Sequence, residues 1–256
     1  MTLIDTHAHL TYEGLIENID DVVSRALSNG ISDIITIATE PADFEGTLEL
    51  AKRFDNVYAG AGIHPHHAKE VTDDSLLKLK AFAENEYIIA VGETGLDFHY
   101  NFSEHDVQHE LFVRHLEIAV QTGKPVIIHS RNALDETLKI LDVFKGKLSK
   151  IVFHCYSGTK QQTEVLLDRG YYISFTGIVT FKNAELAREA AMAVPLDRMM
   201  LETDCPYMSP APMRNQKINE PALMIHTAEF IAKLKGINFD EFCGQVTDTS
   251  RSFFGI

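Results

Sequence analysis

His7-Ala8-His9 falls in the first strand-like run of the chain, Leu3-Ile4-Asp5-Thr6-His7-Ala8-His9-Leu10. Side chains of a strand alternate between faces, so His7 and His9 point one way while Thr6 and Ala8 point the other. Two imidazoles side by side on an apolar strand suggest a metal, because neutral imidazole is a common ligand for zinc and its neighbours. Further polar residues close other apolar runs. Glu93 follows Val91-Gly92, His129 follows Val126-Ile127-Ile128, His154 follows Ile151-Val152-Phe153, and Asp204 follows Met199-Met200-Leu201-Glu202-Thr203. His64 follows Gly62-Ile63 in the same manner. Left unpaired, this many buried ionisable groups would be strongly unfavourable. Leaving His64 aside, the other six N/O ligands exceed the four of one zinc site and fit two divalent cations, about 3.5–4 Å apart, sharing a carboxylate.

The elements that must position these residues alternate. Short β-branched runs near 3–10, 33–38, 57–63, 88–93, 125–129, 150–155, 171–179 and 198–203 read as strands. Helical stretches lie between them near 15–29, 41–54, 73–85, 103–122, 134–144, 160–169 and 183–193, with a further helix near 220–235 and a short helical tail. Leu15, Ile19, Val22, Ala26 and Leu27 make one apolar stripe on the first helix. Gly30, Gly123, Gly146, Gly170 and Gly236 fall where helices should end. Ser103 and Asn219 read as N-caps, and Pro221 fits a first helical turn. About eight strand-then-helix units predict an α/β chain folded as a parallel (β/α)8 TIM barrel, a single domain over 1–256. In that fold the candidate ligands sit at the C-terminal ends of strands, where catalytic residues lie. A doubly wound open sheet is the alternative, with no G-x-G-x-x-G after an early strand to support it.

Composition narrows the function. The net charge of −14 lacks the basic footprint of a protein that grips a long duplex. It permits a small anionic substrate or a strand end held by cations. Three widely spaced cysteines, Cys155, Cys205 and Cys243, argue against a disulfide framework. With no secretory signal and no apolar run near the ~18 residues of a membrane span, the expected location is cytoplasmic. No obligate protein partner is evident.

Other histidines carry less. His105 and His109 are four apart on a helix expected outside the barrel and read as a packed or solvated face. His66 and His67, in the loop after Pro65, read as surface histidines. Strand alternation turns Cys155 away from the ligands, and no base is placed to make a thiolate of it or of Cys205. Cys243 reads as a helical core residue.

Seven segments together resemble the TatD family of metal-dependent hydrolases, described as TatD-type deoxyribonucleases, within the amidohydrolase-like barrels. They are D-T-H-A-H at 5–9, G-I-H-P at 62–65, V-G-E-T-G-L-D at 91–97, I-I-H-S-R at 127–131, F-H-C-Y-S-G at 153–158, L-E-T-D-C-P-Y at 201–207 and N-E-P at 219–221. The resemblance implies a two-metal centre in which His7 and His9 bind one ion and His129 and His154 the other. It implies that Glu93 bridges them and that Asp204 binds the first ion and handles the proton of the attacking water. The family often carries Arg-Gly ahead of Asn-Glu-Pro, whereas this chain reads Arg214-Asn215.

The expected activity is phosphodiester hydrolysis at a DNA strand end, or on a small phosphoester, with zinc, magnesium or manganese as cofactor. Arg131 and Arg214 are candidates to hold the phosphate through bidentate hydrogen bonds, and His64 to contact the same group or orient a ligand. A carboxylic ester or amide hydrolase, including an aminoacyl-tRNA deacylase, is the alternative on the same metals. A metal-binding scaffold without turnover is the third reading.

Overall fold

The computed structural model describes residues 2–256. Among them, parallel strands follow one another through an eight-stranded sheet in chain order. They are β1 (Leu3–Ala8), β2 (Ile31–Ala38), β3 (Val57–Ala61), β4 (Ile88–Asp97), β5 (Val126–Arg131), β6 (Ile151–Phe153), β7 (Tyr172–Phe175) and β8 (Met199–Leu201). Helices alternate with them: α1 (Ile19–Ser28), α2 (Phe44–Arg53), α3 (Asp73–Ala83), α4 (His105–Thr122), α5 (Leu134–Val143), α6 (Lys160–Asp168), α7 (Glu185–Ala193), α8 (Met224–Lys235) and α9 (Phe239–Phe254). This is the (β/α)8 barrel topology that the alternation predicts.

The chain packs as two compact units. One joins the residues up to Thr36 to Cys155–Ile256, and the other is the continuous stretch Ile37–His154. In the first, every residue of β1 is buried, as expected of a strand covered on both faces. On α1 the buried stripe is Ile19, Val22, Val23 and Ala26, while Leu27 is half exposed, so the stripe runs through Val23 instead. The expected short tail is instead a 16-residue helix, α9, which buries Phe242, Cys243, Val246 and Phe253. It also buries Phe254 and the hydroxyls of Thr247, Thr249 and Ser250, which hide the apolar period: Thr247 donates to Thr2 O at 2.7 Å and Thr249 to Leu196 O at 2.8 Å.

In the second unit β3, β4 and β5 approach one another closely through glycine. A Cβ on Gly95 would stand 2.0 Å from His129 O, and one on Gly62 would stand 2.4 Å from the Gly92 carbonyl carbon. Gly92 and Gly95 also hold φ of +137° and +136°, which side-chain-bearing residues rarely adopt. The β4–β5 register slips between Val91 and Thr94 and then resumes through Asp97↔Arg131. Consequently β4 does not end at Glu93, as the apolar run suggests, but four residues later at Asp97.

Neither expected N-cap serves as one. Ser103 Oγ donates to His66 O at 2.9 Å and accepts from Lys69 N, and the Asn219 amide donates to Thr203 O at 3.0 Å and Tyr207 O at 2.6 Å. Pro221 does open a 3-10 turn ahead of α8, and the five helix-end glycines all hold positive φ.

Candidate active site

The unit containing both chain ends brings His7, His9 and Asp204 together. Alternation along β1 sets the two imidazoles on one side, with ring centroids 5.0 Å apart. Asp204 Oδ1 lies 3.3 Å from His9 Nε2 and 4.0 Å from His7 Nε2. The main chain places it: Asp204 N donates to His7 O, and His9 N donates to Cys205 O, each at 2.9 Å. At φ +53° Asp204 turns out of the strand direction just past β8.

Beneath them lies Asp5, fully buried. It accepts from Thr203 N at 2.9 Å, from Thr203 Oγ1 at 2.6 Å and from His7 N at 3.3 Å. Burial pushes its carboxyl up to about 7, against those hydrogen bonds. Glu202 is also buried and accepts from Cys155 N and Ser174 Oγ, each at 2.6 Å. Cys155 itself has left β6 with φ +47°, so strand alternation does not govern it, and its Sγ lies 3.7 Å from Thr176 Oγ1.

The continuous unit gathers the other donors around one oxygen. Glu93 Oε1 lies 2.7 Å from His154 Nε2, 2.9 Å from His129 Nδ1 and 3.3 Å from His64 Nε2. Burial opposes ionisation of Glu93, but the facing imidazoles outweigh it and hold the carboxyl well below its usual range. The far nitrogen of His129 meets a second carboxylate, with Nε2 3.0 Å from Asp97 Oδ2. Asp97 also takes His66 Nε2 at 2.9 Å, His99 N at 2.9 Å and Tyr100 N at 3.0 Å. Despite burial, these donors keep Asp97 ionised far below the ordinary carboxyl range. Gln108 clamps the Asp97 main chain, accepting from its N at 2.8 Å and donating to its O at 3.1 Å.

His129 thus sits between two ionised carboxylates, and its two hydrogen bonds outweigh burial to raise its pKa. A cation can take the place of its Nδ1 proton while Asp97 keeps the Nε2 proton, the usual carboxylate–histidine–metal arrangement. His64 differs. Its Nδ1 accepts from His66 N at 3.1 Å, and burial lowers its pKa to about 4. The neutral ring therefore carries its proton on Nε2, which makes it a donor toward Glu93 or a substrate oxygen.

The donor chemistry fits divalent metal. The donor atoms of His7, His9 and Asp204 lie within 4.8 Å of one another, as do those of His64, Glu93 and His129. Imidazole and carboxylate sets suit zinc and manganese, and the carboxylates suit magnesium.

Reading the sequence alone missed several residues. His66 is not a surface histidine: it is half buried on Asp97, drawn in because that carboxylate stands at the extended end of β4. Asp97 itself was legible only as the last letter of a motif. His105 stacks on Phe98 at 3.8 Å, a packed face as expected. Arg131 is exposed, its guanidinium 4.8 Å from the Tyr100 ring centre, and Arg214 packs 3.7 Å over Phe181.

Known proteins resemble the whole chain. A model of the TatD related DNase family matches residues 4–255. The uncharacterized metal-dependent hydrolase YcfH of Escherichia coli K12 is 39% identical, covering 100% of this chain and 97% of its own length. The 3'-5' ssDNA/RNA exonuclease TatD of Erwinia amylovora is 33% identical, covering 99% of this chain and 100% of its own. The crystal structure of YJJV, a TatD homologue from Escherichia coli K12, superposes with a TM-score of 0.94 at 30% identity, covering 99% and 98% of the two chains. Among the described residues no helix is long and apolar enough to cross a membrane.

Proposed function

The chain belongs to the TatD family of metal-dependent hydrolases, and from that premise we propose that it is a nuclease removing nucleotides from a strand end. In this reading it uses two divalent ions, one on His7, His9 and Asp204 and the other on Glu93, His129 and His154. Such ions lower the pKa of water and offset charge on phosphoryl oxygens. His7, His9, His154 and Asp204 lie at or just past the C-terminal ends of their strands and His129 two residues before its own, where barrel enzymes assemble their chemistry, while Glu93 sits four residues inside β4. Asp204 takes the proton of the attacking water. His64 donates from Nε2 to a phosphoryl oxygen, and Arg131 adds a second donor.

The observation that carries the choice of a phosphodiester is the placement of His64. With Nδ1 accepting from His66 N, its ring presents Nε2 beside the Glu93 cluster, where it suits a phosphoryl oxygen. The ssDNA/RNA exonuclease among the relatives supports the same choice.

The test is turnover by protein stripped and reloaded with magnesium, manganese or zinc. Labelled single strands, duplexes, small phosphoesters and aminoacyl esters are offered. Metal-dependent release of mononucleotides, lost in Asp204→Asn, is expected. Turnover of the aminoacyl ester alone would make the protein a deacylase, and metal binding without any turnover would make it a scaffold.

A further inference from the structure

Among the described residues, five Tyr or Phe side chains stand exposed: Tyr12, Tyr87, Tyr100, Phe102 and Tyr207. Two of them form one surface just beyond β4. The Tyr100 and Phe102 rings stack at 5.2 Å and 17°, with 40% and 53% of the residues exposed. This surface is tied to the Glu93 cluster. Tyr100 N donates to Asp97 Oδ1, and the His66 ring abuts Phe102 and Tyr100 at 4.8 and 5.6 Å. The same Asp97 holds His129, which holds Glu93. Arg131 lays its guanidinium against Tyr100, so a planar cation borders the rings.

An exposed pair of stacked rings beside the Glu93 cluster offers a flat face to an occupant. The net charge of −14 leaves little affinity to be gained along a phosphate backbone. Base stacking on aromatic rings is the sequence-tolerant source that remains, and it needs a base whose face is uncovered. We propose that Tyr100, Phe102 and Arg131 form a stacking subsite for an unpaired nucleobase of the substrate strand. This rests on the nuclease reading and extends it: the subsite selects single-stranded ends over paired ends, whatever the base.

The probe is a short single strand carrying 2-aminopurine at one end or the other, bound by full-length Asp204→Asn protein in magnesium. Stacking quenches aminopurine, so its emission should fall severalfold at one terminus. The added changes Tyr100→Leu and Phe102→Leu should restore emission and weaken binding about tenfold, within the usual range for one stacked base. Tyr100→Phe with Phe102→Trp should keep the quenching, which separates ring chemistry from folding. Unquenched aminopurine at both ends, or unchanged affinity in a folded leucine variant, would overturn the proposal. Quenching without hydrolysis by the native protein would remove the nuclease reading and leave the base subsite standing.

Discussion

Asp204 hangs from the main chain of β1, through its N–H to His7 O and through the return bond from His9 N to Cys205 O. His129 is held instead by side chains, Asp97 on one nitrogen and Glu93 on the other, with Gln108 gripping Asp97 from behind. The first arrangement moves only if a strand moves. The second can fail one hydrogen bond at a time. A cluster built on backbone should therefore tolerate loss of one ligand better than a cluster built on a carboxylate that several imidazoles share.

The sharpest way to break that contrast is Glu93→Gln against His9→Ala. Glu93→Gln removes the anion that three imidazoles face. It should lower turnover by about 10²- to 10³-fold, the scale for losing one preorganised electrostatic group. His9→Ala should lose about 10- to 100-fold and recover partly in excess metal. Turnover at saturating metal, with metal content measured alongside, decides. If His9→Ala is the worse, the backbone-built cluster is the fragile one.

Gly95→Ala tests whether backbone matters in the second cluster as well. With a Cβ 2.0 Å from His129 O and φ at +136°, it should destabilise the fold by about 3 kcal/mol or more in urea unfolding. A loss below about 1 kcal/mol would show that β4 and β5 yield.

Asp97→Asn sharpens the side-chain half. It leaves an acceptor for His129 but removes the charge, and metal affinity should fall about 10- to 100-fold while turnover at saturating metal largely recovers. Calorimetric titration of stripped protein measures this, and unchanged affinity would make Asp97 a purely structural partner of His66.

The smallest effect concerns Asp5. An acid whose folded pKa is raised to about 7 stabilises the fold while it is protonated. That contribution is full below about pH 4 and is lost as pH rises through about 7. Metal-stripped protein should therefore lose melting temperature across that window, and Asp5→Asn should flatten the loss by a few degrees. An identical slope in the variant would place the ionisation elsewhere.

The same contrast explains what was legible beforehand. His7, His9 and Asp204 announce themselves because strand alternation and strand ends are periodic features of the chain. Asp97 and His66 do not, since their meeting depends on β4 continuing past a register slip that only Gly92 and Gly95 permit. Ser103 and Asn219 carry the right side chains for caps, but their oxygens are taken elsewhere, Ser103 Oγ accepting from Lys69 N and Asn219 Oδ1 from the neighbouring Glu220 N. The length of α9 was hidden by buried hydroxyls that read as polar in sequence and are satisfied in the fold.

Chain order adds a matter of timing. The unit around Glu93 is one unbroken stretch ending at His154, whereas Asp204 belongs to a unit whose two pieces lie on either side of it. At about 5–20 residues per second, the ribosome needs roughly 3–10 s to travel from His154 to Asp204. For that interval the nascent protein owns every donor of the Glu93 cluster but only the two imidazoles of the other. The carboxylate proposed to take the proton is accordingly the last of the six proposed ligands to be synthesised.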